Sequence, residues 1–208
     1  LINNFNVSSV VIGEDFRFGK DRKGDNNLLD KYSKKGFFNL ICLKKMSYID
    51  NVVSSSLIRK YIIKGDLKRS NDLLGYNWEV TGKVISGRAK GRELGFPTAN
   101  LIYLYQISPE NGIYACWVKI GNEKNWKQAA VSTGIRPQYN GNEKILEVHI
   151  LEYNGNLYQK RLRIAFIKKI RNEEVFESEN KLIKQMKQDC IFVREILENH
   201  GIKNNNGS

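Results

Sequence analysis

A glycine-rich, basic segment is the first part of the chain whose residue types could do chemistry. Gly87, Gly91 and Gly95 are spaced four positions apart, with Lys90 and Arg92 between them. Glycines let a backbone approach a ligand closely and present its N–H groups to phosphate oxygens, and the cations add positive charge. No Gly-Lys-Ser/Thr follows at the spacing of a Walker A loop. Taken alone, the segment is either a phosphate-binding loop or a plain connecting loop.

The residues that follow this segment add two oxygen donors. Pro97 has a fixed φ and favours an extended conformation at Phe96. Thr98 and Asn100 are two positions apart in this extended stretch, so their side chains share one face. A hydroxyl and an amide carbonyl are hard oxygen donors that suit Mg²⁺, which also keeps waters and nucleotide phosphates. The alternative is that both side chains cap a local turn.

A strand-like run further along the chain carries two polar side chains. Leu146, Val148 and Ile150 alternate as a core face, so Glu147 and His149 point to the opposite side. From this pattern alone, Glu147 is an exposed strand carboxylate and His149 is a structural residue.

The region around these residues has the pattern of β structure. Strand-like segments occupy residues 78–85, 112–120, 126–132, 145–153 and 162–170. Turn signals such as Gly121-Asn122 and Asn154-Gly155 separate them. Evenly spaced strands with tight turns predict a small antiparallel barrel or sandwich.

A helix is predicted at the C-terminal end of this region. Apolar residues recur at steps of three or four and form one stripe: Leu182, Met186, Cys190, Val193 and Leu197. Ser178 is a suitable N-cap, and Gly201 ends the pattern. We expect this helix to pack on the barrel.

Residues 1–75 have an α/β pattern instead. Apolar runs at 7–12 and 39–43 predict buried strands, and residues 20–30 are polar and predict a mobile loop. Serines 54–56 predict the start of a helix over 57–63, and a second helix is predicted over 67–74.

Composition limits the classes of function. The net charge of +12 permits a polyanionic partner, but lysine and asparagine are abundant throughout, and no nucleic-acid recognition motif is present. No run approaches the roughly 18 apolar residues of a membrane span, and no signal-peptide pattern is found. The three cysteines are far apart, which indicates reduced thiols. We therefore expect a cytoplasmic protein that binds neither membranes nor nucleic acid.

The run Gly87-x-x-x-Gly91-Arg92-x-Leu94-Gly95-Phe96-Pro97-Thr98-Ala99-Asn100 resembles the signature of riboflavin kinases. This resemblance implies a six-stranded antiparallel Greek-key barrel with a C-terminal helix. It implies that ATP phosphates bind at Gly87, Lys90, Gly91, Arg92, Gly95, Pro97 and Thr98. It also implies Mg²⁺ at Thr98 and Asn100.

Further runs resemble the same family. Leu146-Glu147-Val148-His149 is similar to the run whose glutamate is the proposed base in this family, so the resemblance assigns that role to Glu147. The segment 170–176 resembles a block that helps to close the flavin site, which implies flavin contacts by Arg171, Glu173 and Phe176. The alternative is a helix-entry segment with Phe176 in the core. Ser132 and Gln138 stand where the family usually has asparagine and threonine.

Two blocks stand out in the first part of the chain: Gly13, Asp15 and Phe16 belong to the first, and Ser55, Ser56 and Arg59 to the second. These blocks resemble those of bacterial FAD synthetases, in which a Rossmann-like nucleotidyltransferase domain precedes riboflavin kinase. We interpret residues 1–75 as the C-terminal part of that domain, 76–203 as the riboflavin kinase domain and 204–208 as a disordered tail. The fold class is therefore α+β.

Adenylyl transfer in that family relies on an upstream His-x-Gly-His motif. This chain has two histidines, His149 and His200, and neither lies in such a motif. We therefore expect these 208 residues not to convert FMN and ATP to FAD. Formation of FAD by this chain would show that expectation to be wrong.

The resulting expectation is a bifunctional type of enzyme whose kinase half transfers the ATP γ-phosphate to riboflavin. Its substrates are riboflavin and ATP, its metal is Mg²⁺, its product is FMN, and the kinase domain is expected to be monomeric. Two alternatives stay open: a flavin- or nucleotide-binding module without catalysis, and a basic nucleic-acid-binding barrel. FMN formation, with Glu147→Gln as the control, distinguishes a kinase from the non-catalytic module. Nucleic-acid binding with a steep salt dependence would favour the second alternative.

Overall fold

The computed structural model describes residues 2–48, 51–87, 90–102, 106–135 and 144–202. The chain divides into two compact units, Leu1–Ser54 and Ser55–Ser208. This division falls earlier than residue 75 because the helices over 55–74 group with the second unit, so the expected domain boundary stays a proposal. The tail 204–208 lies outside the described residues.

The first unit is a small α/β structure. Its elements are α1 (Ile2–Phe5), β1 (Ser9–Gly13), α2 (Asn26–Lys34), β2 (Asn39–Leu43), β3 (Ser47–Tyr48) and β4 (Asn51–Val52). Strands β1 and β2 are parallel, with Ser9 opposite Asn39, and Ile12, Leu29 and Phe38 form a core with α2. Both predicted strands form, but the prediction that they are buried is wrong, because most of their residues are exposed, including Val11 and Ile41. The prediction of a loop over 20–30 is wrong from residue 26, because the Asp25 carboxylate accepts a hydrogen bond from Leu28 N and caps α2.

The second unit is a closed barrel with helices around it. Its elements are α3 (Ser55–Ile63), α4 (Leu67–Leu74), β5 (Glu79–Ile85), α5 (Lys90–Glu93), β6 (Ala99–Ile102), β7 (Gly112–Ile120), β8 (Lys127–Ile135), β9 (Lys144–Ile150), β10 (Arg161–Arg171) and α6 (Glu179–Glu198). The strand order is β10-β5-β6-β9-β8-β7, and every described pairing is antiparallel.

Connectivity makes this barrel a Greek key. Strands β7, β8 and β9 follow one another, and β10 returns to pair with β7, which gives the spatial order 4-1-2-3. Strand β10 also pairs with β5, and this second pairing closes the sheet and removes its open edges. The expected antiparallel barrel with a C-terminal helix is confirmed.

The barrel interior is filled by the residues that alternate inward along the strands. Fully buried side chains include Val80, Leu101, Tyr114, Val118, Val131, Leu146, Leu162, Ile164 and Phe166. The outward residues of the same strands, Asn100 and Glu147 among them, are absent from this core. The pattern therefore places polar side chains on the outer wall of the barrel.

Helices α4 and α6 both pack against the barrel. The buried Asn71 side chain on α4 donates to Phe166 O at 2.9 Å and accepts from Trp78 N at 2.8 Å, which joins α4 to the barrel. On α6, Val193 and Leu197 pack against Ala115 and Ile167, and Ser178 caps the helix. The first half of the predicted stripe on α6 lines a cavity instead of the core.

The backbone conformation of Gln159 predicts that a glycine at this position would stabilise the protein. Gln159 lies between β9 and β10 with φ 63, where a residue with Cβ is disfavoured by about 1–2 kcal/mol. Glycine adopts this conformation freely but loses about 0.5–1 kcal/mol more entropy on folding. We expect Gln159→Gly to raise the free energy of unfolding by about 0.5–1 kcal/mol, measured by urea denaturation. Gln159→Ala is the control and should give no gain, because it keeps the Cβ.

Candidate active site

Two cavities of the second unit meet at Thr98. The first, of about 470 Å³, lies between the glycine-rich segment and the connection 153–158. The second, of about 400 Å³, lies between the outer faces of β8 and β9, the segment 171–176 and the first half of α6. Thr98 lines both cavities. A group held in one cavity can therefore reach a group held in the other near this hydroxyl.

The two predicted oxygen donors lie together at this junction. Thr98 directly precedes β6, and Asn100 lies on it with only 6% of its surface exposed. Among the described residues, Oδ1 of Asn100 is buried and has no hydrogen-bond partner. A buried carbonyl oxygen without a partner costs about 1–3 kcal/mol, so this atom is suited to a ligand. A neutral amide and a hydroxyl are oxygen donors of the kind that Mg²⁺ takes, and the residues present fit the ion.

The glycines of the predicted phosphate loop create space for these donors. A Cβ on Gly87 would lie 2.0 Å from Nδ2 of Asn100, and a Cβ on Gly91 would lie 2.4 Å from the carbonyl oxygen of Phe96. Both glycines thus let the loop lie directly against Asn100 and the segment before Thr98. No other residue type allows this approach without displacing its neighbours.

The loop itself contains a short helical turn that sequence reasoning missed. Residues Lys90–Glu93 form α5, and Gly95, with φ 84, follows it. Of the residues predicted to bind phosphate, Gly87, Arg92 and Pro97 line the first cavity, whereas Gly95 does not. The side chain of Lys90 lies outside the described part of the chain, as does Arg88.

The contact between Gly87 and Asn100 predicts a metal-dependent effect. Gly87→Ala should push the Asn100 amide away from its place and raise the Mg²⁺ concentration needed for half-maximal activity by about tenfold or more. A magnesium titration of FMN formation measures this shift. Gly201→Ala is the matched control, because no atom lies within 4 Å of its added Cβ. Equal magnesium requirements for both variants would contradict the role given to Gly87.

Glu147 lies where two strand pairings meet. On β9 it is opposite Asn100 of β6 on one side and opposite Ser132 of β8 on the other. Its neighbours Leu146 and Val148 are fully buried, so the predicted alternation is confirmed and Glu147 faces outward into the second cavity. Directly opposed residues on one face have Cβ atoms about 4.5–5.5 Å apart, so its carboxylate and the Asn100 amide share one site.

The arginine predicted at the flavin site makes a buried ion pair. Nε of Arg171 donates to Oδ1 of Asp189 at 2.9 Å, and Nη2 donates to Oδ2 at 2.8 Å. Nη1 donates to Asn172 O, and the guanidinium lies 5.7 Å from the ring of Phe176. Arg171 therefore joins β10 to α6 and positions the segment after it. Its donors are directed at protein atoms rather than at a phosphate.

Asp189 was not predicted from the sequence, although a signal was present. It lies seven residues after Leu182 and three after Met186, so it belongs to the apolar stripe of α6. An acidic residue on such a stripe implies a buried cationic partner. Only 4% of Asp189 is exposed, and Nε2 of Gln185 also donates to it at 3.0 Å.

The second cavity also contains the other two predicted flavin residues. Glu173 and Phe176 line it together with Leu182, Met186 and Cys190. Burial raises the pKa of the Cys190 thiol, which agrees with an unreactive, reduced cysteine.

Ser132 provides a local contact for Glu173. Its Oγ donates to Oε1 of Glu173 at 3.2 Å, and a Cβ on Gly134 would lie 2.7 Å from the same atom. Serine at position 132 thus holds the Glu173 carboxylate at the wall of the cavity. Gln138, the other departure from the family pattern, lies outside the described residues.

The residues of the nucleotidyltransferase resemblance fall in both units. In the first unit, Gly13 ends β1, and Gly13 O accepts from Phe16 N at 3.1 Å in a turn. Oδ2 of Asp15 lies 3.2 Å from Nζ of Lys45, which lowers the pKa of this exposed carboxyl through a hydrogen bond and charge. In the second unit, Ser55, Ser56 and Arg59 lie on α3.

Two negative findings concern the described residues. None of the helices there is both long and apolar enough to cross a membrane. Within the same ranges no group of three or more His, Cys, Asp or Glu side chains has the arrangement of a metal site.

Family comparisons agree with this architecture. The riboflavin kinase family model matches residues 74–197, and the FAD synthetase family model matches residues 1–57. The chain belongs to the riboflavin kinase family.

Individual relatives resemble the chain over most of its length. A Buchnera aphidicola (subsp. Schizaphis graminum) protein named bifunctional riboflavin kinase/FMN adenylyltransferase is 37% identical over 94% of this chain and 63% of its own length. The Escherichia coli K12 protein of the same name is 34% identical over 95% of this chain and 63% of its own length. This chain therefore spans less than two thirds of these relatives.

A solved structure has a similar fold. The crystal structure titled as a macrolide-efflux protein from Streptococcus pneumoniae superimposes with a TM-score of 0.77. It is 30% identical and covers 88% of this chain and 60% of its own. The similarity therefore extends over both compact units of the chain.

Proposed function

We propose that this chain transfers the γ-phosphate of ATP to the terminal ribityl hydroxyl of riboflavin, giving FMN and ADP. The observation that carries this proposal is the buried Oδ1 of Asn100 without a hydrogen-bond partner among the described residues. This atom lies beside a cavity suited to a nucleotide and opposite Glu147 of the second cavity. The riboflavin kinase family match supports the choice of substrates.

The nucleotide is assigned to the first cavity. Arg92 adds a cation to the wall formed by the glycine-rich segment, and we assign the phosphates to that side. Thr98 and Asn100 would hold Mg²⁺ through Oγ1 and Oδ1. When bound, the ion neutralises negative charge on the phosphates of ATP.

The flavin is assigned to the second cavity. Phe96, Phe176, Leu182 and Met186 supply apolar and aromatic surface suited to the ring system, and Glu173 supplies an acceptor. A ribityl chain that extends from this cavity toward Thr98 brings its terminal hydroxyl near Glu147.

We assign to Glu147 the role of accepting the proton of the ribityl hydroxyl. In the transfer, the ribityl oxygen bonds to the γ-phosphorus, and the bond from that phosphorus to the ADP oxygen breaks. The hydroxyl proton passes to the Glu147 carboxylate. Phosphoryl transfer depends mainly on positioning and charge stabilisation, and the cross-strand pairing of Glu147 with Asn100 supplies the positioning.

Incubating the purified chain with riboflavin, ATP and Mg²⁺ tests this proposal, with FMN separated by chromatography. We expect FMN to form only when all three are present. Tight binding of riboflavin and ATP without any FMN would favour the non-catalytic binding module instead. The nucleic-acid-binding alternative has support only from the net charge and the small-barrel fold.

We also propose an oligomeric state, a cellular location and a domain boundary for this chain. The kinase region would be monomeric, which light scattering measures. The protein would be cytoplasmic, where ATP is available, and would bind neither membranes nor nucleic acid. The domain boundary near residue 75 would be tested by expressing residues 55–208 and 76–208 and comparing their unfolding.

A further inference from the structure

His149 makes a hydrogen bond that reaches the segment just before Thr98. Nδ1 of its imidazole lies 2.9 Å from the carbonyl oxygen of Pro97. A carbonyl oxygen only accepts, so Nδ1 must carry the proton in this contact. The Phe96 ring meets the imidazole nearly edge-on, with centroids 5.4 Å apart and planes at 67°. The side chain of His149 therefore contacts both residues that precede Thr98.

The His149 side chain lies at the end of the pairing between β6 and β9. The pairing of β6 with β9 begins at Ala99, which is opposite Val148. Pro97 has no N–H group and cannot extend the ladder with a donor of its own. The His149 imidazole supplies a donor one step beyond the last pair. It therefore holds the peptide that joins Pro97 to Thr98 against β9.

We infer that His149 is a positioning residue for the magnesium–nucleotide site. It acts through the Pro97 carbonyl, which fixes the peptide from which Thr98 projects toward the junction of the two cavities. Without this donor, the nearest remaining anchor before Thr98 would be the 2.7 Å hydrogen bond from Phe96 N to Gly91 O, whereas Asn100 would keep its place in β6. This inference rests on the proposed function, because it assumes that Thr98 binds the metal.

Two substitutions separate the hydrogen bond from the ring packing. His149→Phe keeps a ring against Phe96 but removes the donor. His149→Asn removes the ring but places Nδ2 one bond from Cγ, where Nδ1 stands in histidine. His200→Phe is the matched control, since His200 makes the same type of contact, 2.8 Å from Nδ1 to Ile196 O, but lines none of the cavities described here.

Calorimetric titration with Mg²⁺ and ADP, without riboflavin, measures the effect apart from turnover. We expect His149→Phe to weaken binding by about fivefold, the contribution of one hydrogen bond. His149→Asn should recover most of the affinity, and His200→Phe should match the wild type. Turnover of His149→Phe should fall further, by roughly tenfold, because the transfer step is more sensitive to position.

Several outcomes would overturn the inference. Equal affinity of His149→Phe and the wild type would show that the bond does not position the site. An equal loss in His149→Phe and His149→Asn would assign the effect to something other than the hydrogen bond. Urea unfolding of each variant distinguishes a fold effect, because a purely structural bond would lower stability but leave the affinity of folded protein unchanged. A wild type that neither binds Mg²⁺–ADP nor forms FMN would refute the proposed function itself.

Discussion

Asn100→Ala is expected to lower the turnover of FMN formation by about two to three orders of magnitude while the barrel stays folded. Loss of one preorganised polar group at a charge-developing centre costs roughly 10²–10³ in rate. The fold should survive because Asn100 is outside the barrel core, between its inward neighbours Ala99 and Leu101. Turnover at saturating riboflavin and ATP, with circular dichroism of the same samples, measures both statements.

Matched variants test whether the oxygen donors themselves are responsible. Asn100→Asp keeps an oxygen in place of Oδ1 and should retain magnesium-dependent activity that Asn100→Ala loses. Thr98→Val removes the hydroxyl but keeps the shape, whereas Thr98→Ser keeps the hydroxyl. We expect Thr98→Val to fall by orders of magnitude and Thr98→Ser to stay close to the wild type. Near-wild-type FMN production by Asn100→Ala and Thr98→Val would refute the metal assignment.

Much of the barrel is readable from the alternation of its strands. Strand β7 occupies the predicted residues 112–120, and β10 extends one residue beyond the predicted 162–170 at each end. Closure is different, because it depends on β10 pairing with both β5 and β7, which are far away in the chain. Local periodicity contains no information on such pairings, so the strand pattern alone left a barrel or a sandwich open, and the barrel was implied by the family resemblance.

The two short elements of the site, β6 and α5, were also not predicted from the sequence. Strand β6 has four residues, and Asn100 interrupts its apolar pattern. The four residues of α5 lie in a glycine-rich run that reads as a loop. Strand β6 is held by its pairings with β5 and β9, which local propensity does not predict. The pairing of Thr98 with Asn100 could nevertheless be proposed from the sequence, because an extended chain places alternate side chains on one face.

The second cavity, to which we assign the flavin, depends on long-range contacts that the sequence did not predict. Its wall combines β10, the segment 172–176 and α6, and the buried pair of Arg171 with Asp189 joins them. Removing one partner of a buried pair leaves an uncompensated charge, which is strongly destabilising. The arginine is therefore kept in place by the fold. The apolar stripe of α6 has two uses, a cavity wall in its first half and core packing in its second.

Glu147→Gln is expected to reduce turnover by about 10²–10⁴ with little change in the affinity for Mg²⁺–ADP. Glutamine keeps the size of the side chain and its place opposite Asn100 but does not accept the hydroxyl proton. A positioned general base contributes about this factor. Single-turnover FMN formation measures the chemical step, and calorimetry with Mg²⁺ and ADP measures binding.

Two further carboxylate variants sharpen the assignment of Glu147. Glu147→Asp keeps a proton acceptor but withdraws it by one methylene, and a misplacement of about 1 Å should cost up to about 10²-fold. Glu173→Gln alters another carboxylate of the same cavity, one held by Ser132 rather than paired across from Asn100. We expect Glu173→Gln to change the KM for riboflavin more than the turnover. If Glu147→Gln and Glu173→Gln lowered turnover equally, the proton acceptor would not be specific to Glu147. The strand register that places Glu147 opposite Asn100 would then have no role in the transfer.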